Sequence, residues 1–172
     1  MTEPRTSLRT GSGIDIHAFG PGDSLMLAGV RVPHSHGIVA HSDGDVLLHA
    51  LVDALLGAAG LGDIGMHFPD TDARWRGADS ARFVLHTCEL LAQRGYHVVN
   101  ADLTLLAQAP KIAAVRGAMR DNVARLLGIP ADCVNVKATT PEHLGALGRR
   151  EGLAATASVL IEQGAAARPS VS

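Results

Sequence analysis

The chain is poor in aromatic residues and in cysteine, and both scarcities limit what it can be. Aromatic residues make up only 3% of 172 residues while hydrophobic residues reach 47%, so the core must be built from Ala, Val, Leu and Ile. Cys88 and Cys133 are the only cysteines and stand outside any metal-type spacing. No disulfide framework is indicated, and a reducing cytoplasm is the expected location.

An excess of one charge and long apolar runs are also lacking. The net charge is −2 and the Lys and Arg residues are scattered, which argues against a nucleic-acid-binding protein with its usual basic stripe. The N-terminal stretch MTEPRTSLRT has no apolar segment of the kind found in signal peptides. No run of about 18 uninterrupted apolar residues occurs, so no membrane span is predicted.

The alternation of strand and helix patterns predicts one α+β domain over residues 9–164, between flexible tails at 1–8 and 165–172. The expected architecture is a mixed four- to five-stranded sheet with helices packed on one face. Strands are predicted at 9–19, 24–34, 97–108, 132–140 and 153–163. Helices are predicted within 41–62, where Ser42 or Asp43 would cap the first turn, at 79–95, and at 111–127 after Pro110.

The stretch GIDIHAF places Asp15 and His17 on the same face of the first predicted strand. Burying an acid and an imidazole together is costly unless they are paired. They either pair with each other or with backbone groups at a strand end, or they bind a metal with a third ligand. His49, on the apolar first helix, is the best candidate for that ligand, and one carboxylate with two imidazoles suits Zn²⁺ with a position left open.

The HSDGD stretch, residues 41–45, is unusually polar for the start of an apolar helix. Capping explains Ser42 or Asp43, whereas an anionic ligand at the helix N-terminus would explain the whole group. Asp45, His49 and Asp53 recur at intervals of four, so one helix face carries three ionisable groups. That face is either exposed to solvent or part of a site.

Four further segments combine turn residues with groups that bind ligands. Residues 62–72 contain Asp63, Asp70 and Asp72, which are ordinary turn formers or ligands for hydroxyls and cations. The KATTPEH segment, 137–143, is either a Thr-capped turn or a phosphate and Mg²⁺ site. QAPK, 108–111, offers a lysine and free N–H groups to an anion. Arg149 and Glu151, in GRREG, form a solvated turn, a subunit contact or an anion site.

The order and spacing of these segments resemble one enzyme family. RTGSGIDIHAF, AHSDGDVLLHALVDALLGAAGLGDIGMHFPDTD, ADLTLLAQAPKI and VNVKATTPEHLGALGRREG are similar to the 2-C-methyl-D-erythritol 2,4-cyclodiphosphate synthase family of the non-mevalonate isoprenoid pathway. The resemblance covers residues 9–162. It implies a homotrimer of α+β subunits with active sites between neighbouring subunits. It also implies a reaction in which the 2-phosphate of 4-diphosphocytidyl-2-C-methyl-D-erythritol 2-phosphate attacks the β-phosphorus and releases CMP.

The resemblance also assigns roles to particular residues. Asp15, His17 and His49 fall on the zinc ligands, and Glu142 on the ligand of a second cation, Mg²⁺ or Mn²⁺. His41 and Thr140 match positions that stabilise the transition state. The methylerythritol pocket and the loop over it match Ser42, Asp63, Ile64, Gly65, Phe68, Pro69, Asp70, Thr71 and Asp72. The cytidine and phosphate pocket, given by the neighbouring subunit, matches Ala107, Gln108, Ala109, Pro110, Lys111, Ile112, Ala113, Thr139 and Thr140.

Three further positions near the expected binding regions are informative. Pro141 stands where the family often has a small hydroxyl residue, and Ala146 where a larger apolar side chain often lines the cavity on the trimer axis. Arg149 and its symmetry mates would otherwise hold an isoprenoid diphosphate in that cavity, and Ala146 leaves that binding open. A trimeric ligand-binding protein that lost catalysis is the alternative of another class, but the complete ligand set favours an enzyme. A fused cytidylyltransferase, which some members of the family carry, has no room in 172 residues.

Overall fold

Seven strands organise the protein, which a computed structural model describes over residues 7–164. They are β1 (Ser7–Gly20), β2 (Ser24–Leu27), β3 (Val30–Pro33), β4 (Gly37–Ile38), β5 (Tyr96–Leu106), β6 (Val134–Thr139) and β7 (Gly152–Gln163). Five of them form one sheet in the order β4-β1-β7-β5-β6, in which β5 and β6 run parallel and the other pairs are antiparallel. The predicted mixed sheet of four to five strands is therefore confirmed, with five strands.

The helices are α1 (Val46–Ala59), α2 (Ile64–His67), α3 (Ala81–Gln93), α4 (Arg116–Leu127) and α5 (Gly145–Gly148). α1 packs against β1 and β7, while α3 and α4 extend the same layer over β5 and β6. Alternate residues of β7, such as Leu153 and Ala155, are fully buried beneath this layer. On the other side of the sheet Ile14 and Ile16 remain 66% and 64% exposed in the single chain. The helices thus cover one face, as predicted.

Two glycines of β1 bring the first helix unusually close to the sheet. A Cβ atom added to Gly13 would lie 2.0 Å from the backbone O of Ala50, and one added to Gly11 would lie 2.0 Å from the O of Ala54. No side chain larger than hydrogen fits there without moving the helix. The close approach sets the height of α1 above β1, and therefore the reach of the side chains that α1 directs at the strand.

Two predicted elements are wrong in their extent. The stretch predicted as a single strand at 24–34 is a hairpin of β2 and β3, because Ala28 and Gly29 both take positive φ angles of 50° and 74° and reverse the chain. The helix predicted from residue 111 begins only at Arg116. Ile112 is buried in the core at the start of a turn, in which its carbonyl O accepts from Val115 N, and this burial holds the chain out of helical geometry.

The limits of the domain and the thiols complete the fold. β1 begins at Ser7, two residues before the predicted start of the domain, and the remainder of both predicted tails lies outside the described residues. Cys88 and Cys133 are both free thiols, and burial raises the pKa of Cys88 to about 11. Among residues 7–164 no helix has both the length and the apolar character needed to span a bilayer.

Candidate active site

Asp15 and His17 project from β1 toward α1, on the same face of the strand as predicted. Nε2 of His17 lies 3.0 Å from Oδ2 of Asp15. Nδ1 of His17 lies 3.0 Å from the carbonyl O of Gly44, to which the Nδ1–H donates. In the neutral imidazole the lone pair is therefore on Nε2, facing the carboxylate.

His49 reaches the same carboxylate from α1. Its Nδ1 lies 3.1 Å from Oδ2 of Asp15, and its ring stands nearly perpendicular to that of His17, with centroids 5.1 Å apart. The candidate ligand atoms of Asp15, His17 and His49 all lie within 4.8 Å of one another. The helix that carries His49 therefore does meet the strand that carries the Asp-x-His pair.

The charges within this triad favour an ion pair when no metal is bound. Partial burial alone would raise the pKa of Asp15, but hydrogen bonds and charge from His17 and His49 hold that pKa far below its ordinary value. Burial likewise works to lower the pKa of His17, yet the bond to Asp15 raises it above its ordinary value. A divalent cation would replace the imidazolium proton as the partner of the carboxylate.

Asp45 anchors the start of α1 and corrects the predicted cap. The helix is capped by Asp45, whose Oδ1 accepts from Leu48 N, and not by Ser42 or Asp43. The fully buried carboxylate also accepts from Ala28 N at 2.9 Å and Gly29 N at 2.6 Å, in the turn of the β2–β3 hairpin. Burial raises the pKa of Asp45, and these N–H donors limit the rise. The polar entry to α1 is thus largely structural.

A cavity of about 290 Å³ opens beside the triad and contains most of the first predicted substrate pocket. It includes the imidazoles of His17 and His49 together with the predicted residues His41, Ser42, Ile64, Gly65, Phe68 and Asp70. Sequence reasoning missed four of its walls, which are Val39, Ala40, Trp75 and Phe83. In the sequence, Phe83 is recognisable only as an apolar residue at helical spacing. Its contact with Phe68, with ring centroids 4.6 Å apart, is a tertiary contact that the spacing does not predict.

Other acidic residues of this region accept hydrogen bonds from backbone N–H groups instead of lining the cavity. Asp63 caps α2 by accepting from Met66 N, and Asp72 caps a 3₁₀ turn at Ala73–Trp75 while pairing with Arg74. Asp53, left open between exposure and function, is half-buried and accepts from Ile64 N at 2.7 Å. Asp53 thus ties α1 to the first residue of α2, which lines the cavity. Pro69 and Thr71 are not among the lining residues of the cavity.

A second, separate cavity of about 200 Å³ lies where β5 and β6 end. β5 and β6 are parallel neighbours, so the segments that follow them meet at one edge of the sheet. The structure adds Ala138 and Arg116, which sequence reasoning missed, to a lining that otherwise consists of the predicted residues Ala107, Pro110, Lys111, Ile112, Ala113, Thr139 and Thr140. Gln108 and Ala109 lie in the same loop outside the lining, and Gln108 Oε1 accepts from His143 N.

Glu142 stands next to this second cavity in a strained turn. Glu142 and His143 have φ angles of 51° and 63°, and the hydroxyl of Thr140 donates to the Glu142 carboxylate. Pro141 and Ala146 line neither cavity, and Arg149 pairs with Glu151 at 2.6 Å on the surface. Within a single chain, Arg149 and Glu151 therefore form the solvated turn that was one of the three interpretations.

The fold and the first cavity define a class of protein: an α+β enzyme with a two-histidine, one-carboxylate cluster that could hold a metal ion, beside a substrate-sized cavity. The chain belongs to the YgbB family, which it matches over residues 8–162.

Relatives with known names support this membership. The chain is 60% identical over 155 residues to a 2-C-methyl-D-erythritol 2,4-cyclodiphosphate synthase of Xanthomonas campestris pv. campestris, covering 90% of this chain and 95% of the relative. It is 59% identical over 155 residues to the synthase of Xylella fastidiosa, covering 90% and 88%.

Solved structures share the fold. The bifunctional IspDF from Campylobacter jejuni superposes with a TM-score of 0.90 at 43% identity over 94% of this chain, which spans only 44% of that longer protein. A 2C-methyl-D-erythritol-2,4-cyclodiphosphate synthase in its CDP-bound form superposes with a TM-score of 0.82 at 42% identity, covering 89% of this chain and 99% of the other.

Proposed function

We propose that this protein converts 4-diphosphocytidyl-2-C-methyl-D-erythritol 2-phosphate into 2-C-methyl-D-erythritol 2,4-cyclodiphosphate and CMP, in the non-mevalonate route to isoprenoid precursors. Its family and its 60% identity to a synthase of that name support the activity. The observation that carries the proposal is the triad of Asp15, His17 and His49, whose two imidazoles line the cavity. Such an open site suits the activation of a phosphate group.

The chemistry requires two negative groups to approach each other. An oxygen of the 2-phosphate bonds to the β-phosphorus while the bond from that phosphorus to the bridging oxygen breaks, and CMP leaves with that oxygen and its electron pair. The attacking group is part of the substrate, so the protein need not supply a covalent nucleophile. Positioning of the two phosphates and neutralisation of their charge carry the catalysis.

The triad fits a zinc ion. Tetrahedral Zn²⁺ with bonds of about 2.0–2.1 Å separates its ligand atoms by roughly 3.3–3.4 Å. The two imidazole nitrogens lie 3.0 and 3.1 Å from Oδ2 of Asp15, within a few tenths of an ångström of that spacing. When bound, the zinc supplies a Lewis acid that polarises a phosphoryl oxygen. Three protein ligands leave a position for that oxygen.

Glu142 is proposed as the protein ligand of a second cation, Mg²⁺ or Mn²⁺. Its carboxylate is exposed and receives the Thr140 hydroxyl, beside the second cavity. A single carboxylate together with substrate phosphates is a common way for proteins to hold Mg²⁺. Thr140 and the positive charge of Lys111 would then face the diphosphate.

His41 is proposed to stabilise charge on the transferred phosphate at the first cavity. Its imidazole is 73% exposed and its Nε2 lies 3.8 Å from Oδ2 of Asp70, beyond hydrogen-bond distance. The ring is therefore free to donate to a bound phosphate. Ile64, Gly65 and Phe68 offer the adjoining apolar wall to the methylerythritol carbon skeleton.

The complete site is proposed to form between copies of this chain in a homotrimer. In one chain the triad cavity and the cavity at Thr139 and Thr140 have no lining residue in common. The exposed apolar residues Ile14 and Ile16 lie on the uncovered face of the sheet, where contact with another copy would bury them. A symmetric ring would place the first cavity of one copy against the second cavity of the next.

A CMP-release assay on the full chain tests the activity. His17→Ala should lose bound zinc and at least about 10²-fold in turnover, because several kcal/mol of charge stabilisation are removed. His97→Ala, at the far end of the sheet where His97 pairs with Glu162, is the matched control and should keep both. Turnover that survives His17→Ala with intact folding, or wild-type protein that releases no CMP with zinc and magnesium, would contradict the proposal.

Mixing two inactive variants tests the shared site. His17→Ala damages only the first cavity, and Glu142→Gln only the region of the second. Random trimers from an equal mixture after unfolding and refolding would rebuild roughly one site in four, so about a quarter of wild-type activity should return. Recovery near zero would show that both cavities of a site belong to one chain.

A further inference from the structure

Ser80 stands at the head of α3 but does not cap it. A serine at this position ordinarily accepts a hydrogen bond from the first turn of its helix. Ser80 makes no such bond, although its side chain is completely buried. Its hydroxyl instead donates to Oδ1 of Asp43, and its oxygen lies 2.9 Å from Nε2 of His49. The serine thus connects an acid in the loop before α1 to a member of the metal triad.

The direction of these hydrogen bonds follows from what each group can do. The carboxylate of Asp43 can only accept, so the hydroxyl hydrogen of Ser80 is committed to it. The hydroxyl oxygen is then an acceptor, and it accepts from Nε2–H of His49. A proton on Nε2 leaves the lone pair of the neutral ring on Nδ1, which is the atom 3.1 Å from Asp15.

Asp43, which accepts the hydrogen bond from the Ser80 hydroxyl, is itself held in place. Oδ2 of Asp43 accepts from Ser80 N at 3.2 Å, and the N–H of Asp43 donates to the carbonyl O of Ala78 at 3.1 Å. Asp43 is therefore fixed on the segment that leads into α3 by both its side chain and its backbone. Neither Asp43 nor Ser80 lines the substrate cavity.

Ser42 offers a second oxygen to the same nitrogen. Its Oγ lies 3.1 Å from Nε2 of His49 and also accepts from Gly44 N at 3.2 Å. The Ser80 contact is shorter, comes from a fully buried residue and is backed by a carboxylate, which strengthens it. Ser42 supports the same tautomer but does not replace the charge of Asp43.

We propose that Asp43 and Ser80 form a hydrogen-bond relay that holds the proton on Nε2 of His49, and so position Nδ1 as the metal ligand. The inference rests on the proposed zinc site and explains how His49, its ligand on α1, is oriented. Both are positioning residues, since they act through His49. Partners of this kind fix the tautomer and orientation of a ligating histidine and raise its basicity.

Zinc affinity of the full chain, measured by competition with a chromogenic chelator, tests the relay. Ser80→Ala should weaken zinc binding about 10- to 100-fold, and Asp43→Asn should act in the same direction. Thr87→Val is the matched control. Thr87 is a buried hydroxyl residue on the same helix, without a hydrogen-bond partner among residues 7–164, so its replacement should leave zinc affinity unchanged.

Two further readouts separate positioning from general loss of structure. In the zinc-loaded wild type, NMR should detect the Nε2–H proton of His49 in slow exchange, and Ser80→Ala should lose that signal. Ser80→Thr retains a hydroxyl and should restore both the signal and most of the affinity. Melting temperature and circular dichroism identify any variant that fails to fold.

Each result supports the relay or overturns it. Weak zinc binding in Ser80→Ala and Asp43→Asn, rescue by Ser80→Thr and no change in Thr87→Val support it. Wild-type affinity in Ser80→Ala, or equal loss in Thr87→Val, overturns the relay alone. If the wild type binds no zinc, or if Asp15→Ala binds it as tightly, the proposed metal site fails and the relay fails with it. If Ser80→Ala does not fold, the comparison of Asp43→Asn with wild type decides between the same outcomes.

Discussion

One added methyl group can test whether the close approach of α1 to β1 positions His49 in the triad. In Gly13→Ala, the new Cβ would lie 2.0 Å from the backbone O of Ala50, whereas Cβ contacts in real proteins are essentially never shorter than 3.0 Å. The helix must therefore move outward by at least about 1 Å, since both contacting groups are rigid parts of the backbone. His49 precedes Ala50 on that helix and moves with it, while Asp15 and His17 stay on the strand.

The displacement should separate the triad. The 3.1 Å between Nδ1 of His49 and Oδ2 of Asp15 would widen to about 4 Å, beyond the roughly 3.3–3.4 Å that separates two ligands of tetrahedral zinc. Overpacking of this kind costs about 1–3 kcal/mol of stability. Zinc affinity should fall by about 10²-fold, and CMP release should fall by a similar factor, because an error of 1 Å in position has that effect on catalysis.

Chelator competition, urea unfolding and CMP release measure the three effects. Gly57→Ala makes the same substitution on α1, where the added Cβ meets nothing within 4 Å. This control should keep zinc affinity and gain about 0.5–1 kcal/mol of stability, because alanine favours a helix more than glycine does. A Gly13→Ala protein with wild-type stability and wild-type zinc affinity would refute the argument that the glycines set the reach of His49.

Three other predictions concern buried polar groups. Asp45→Asn should lower the free energy of unfolding by about 2–3 kcal/mol, because an amide cannot accept all three N–H bonds and adds a donor facing them; a loss near zero in urea denaturation would count against this. Thr87→Val should raise stability by about 1 kcal/mol, since it removes a buried hydroxyl without a partner among residues 7–164, and a lower melting temperature would argue otherwise. In the zinc-free protein, the raised pKa of His17 gives stability that is complete below pH 6.5 and is lost as the pH rises through the raised pKa. The lowered pKa of Asp15 gives stability that is present above pH 3.8 and is lost as the pH falls through the lowered pKa. The free energy of unfolding, measured against pH, should therefore contain a contribution that is greatest between these limits, and Asp15→Asn should remove it; an unchanged pH profile would exclude the pair as its source.

The prediction of elements succeeded where the local pattern and the tertiary contacts agree. α1 has buried apolar residues at helical spacing, and β7 alternates along the face that the helices cover, so both were found from their periodicity. It was wrong where a local signal was ambiguous. Pro110 looked like a helix start, but burial of Ile112 delays α4 to Arg116. Ser42 and Asp43 had the chemistry of a cap, yet Asp45 alone lies in register with the first turn.

The candidate site was predicted unevenly for a related reason. The sequence identified the residues with distinctive chemistry, including Asp15, His17 and His49. It gave no sign of Ser80, because a serine before a helix is indistinguishable from an ordinary cap. The aromatic walls Trp75 and Phe83 were missed because their signals were those of a loop and a core helix.

By itself the sequence determined the chemistry available to this protein and the faces on which that chemistry stands. A period of two puts Asp15 and His17 on one side of a strand, and the apolar helix that follows carries His49, whatever else the chain does. Only the tertiary structure decided that the helix lies over that strand, close enough for three ligand atoms to meet. The reason is physical. The distance between α1 and β1 depends on how closely the helix can approach the hydrogen atoms that Gly11 and Gly13 carry in place of side chains. Contacts between segments that are distant in sequence leave no periodic pattern in the sequence.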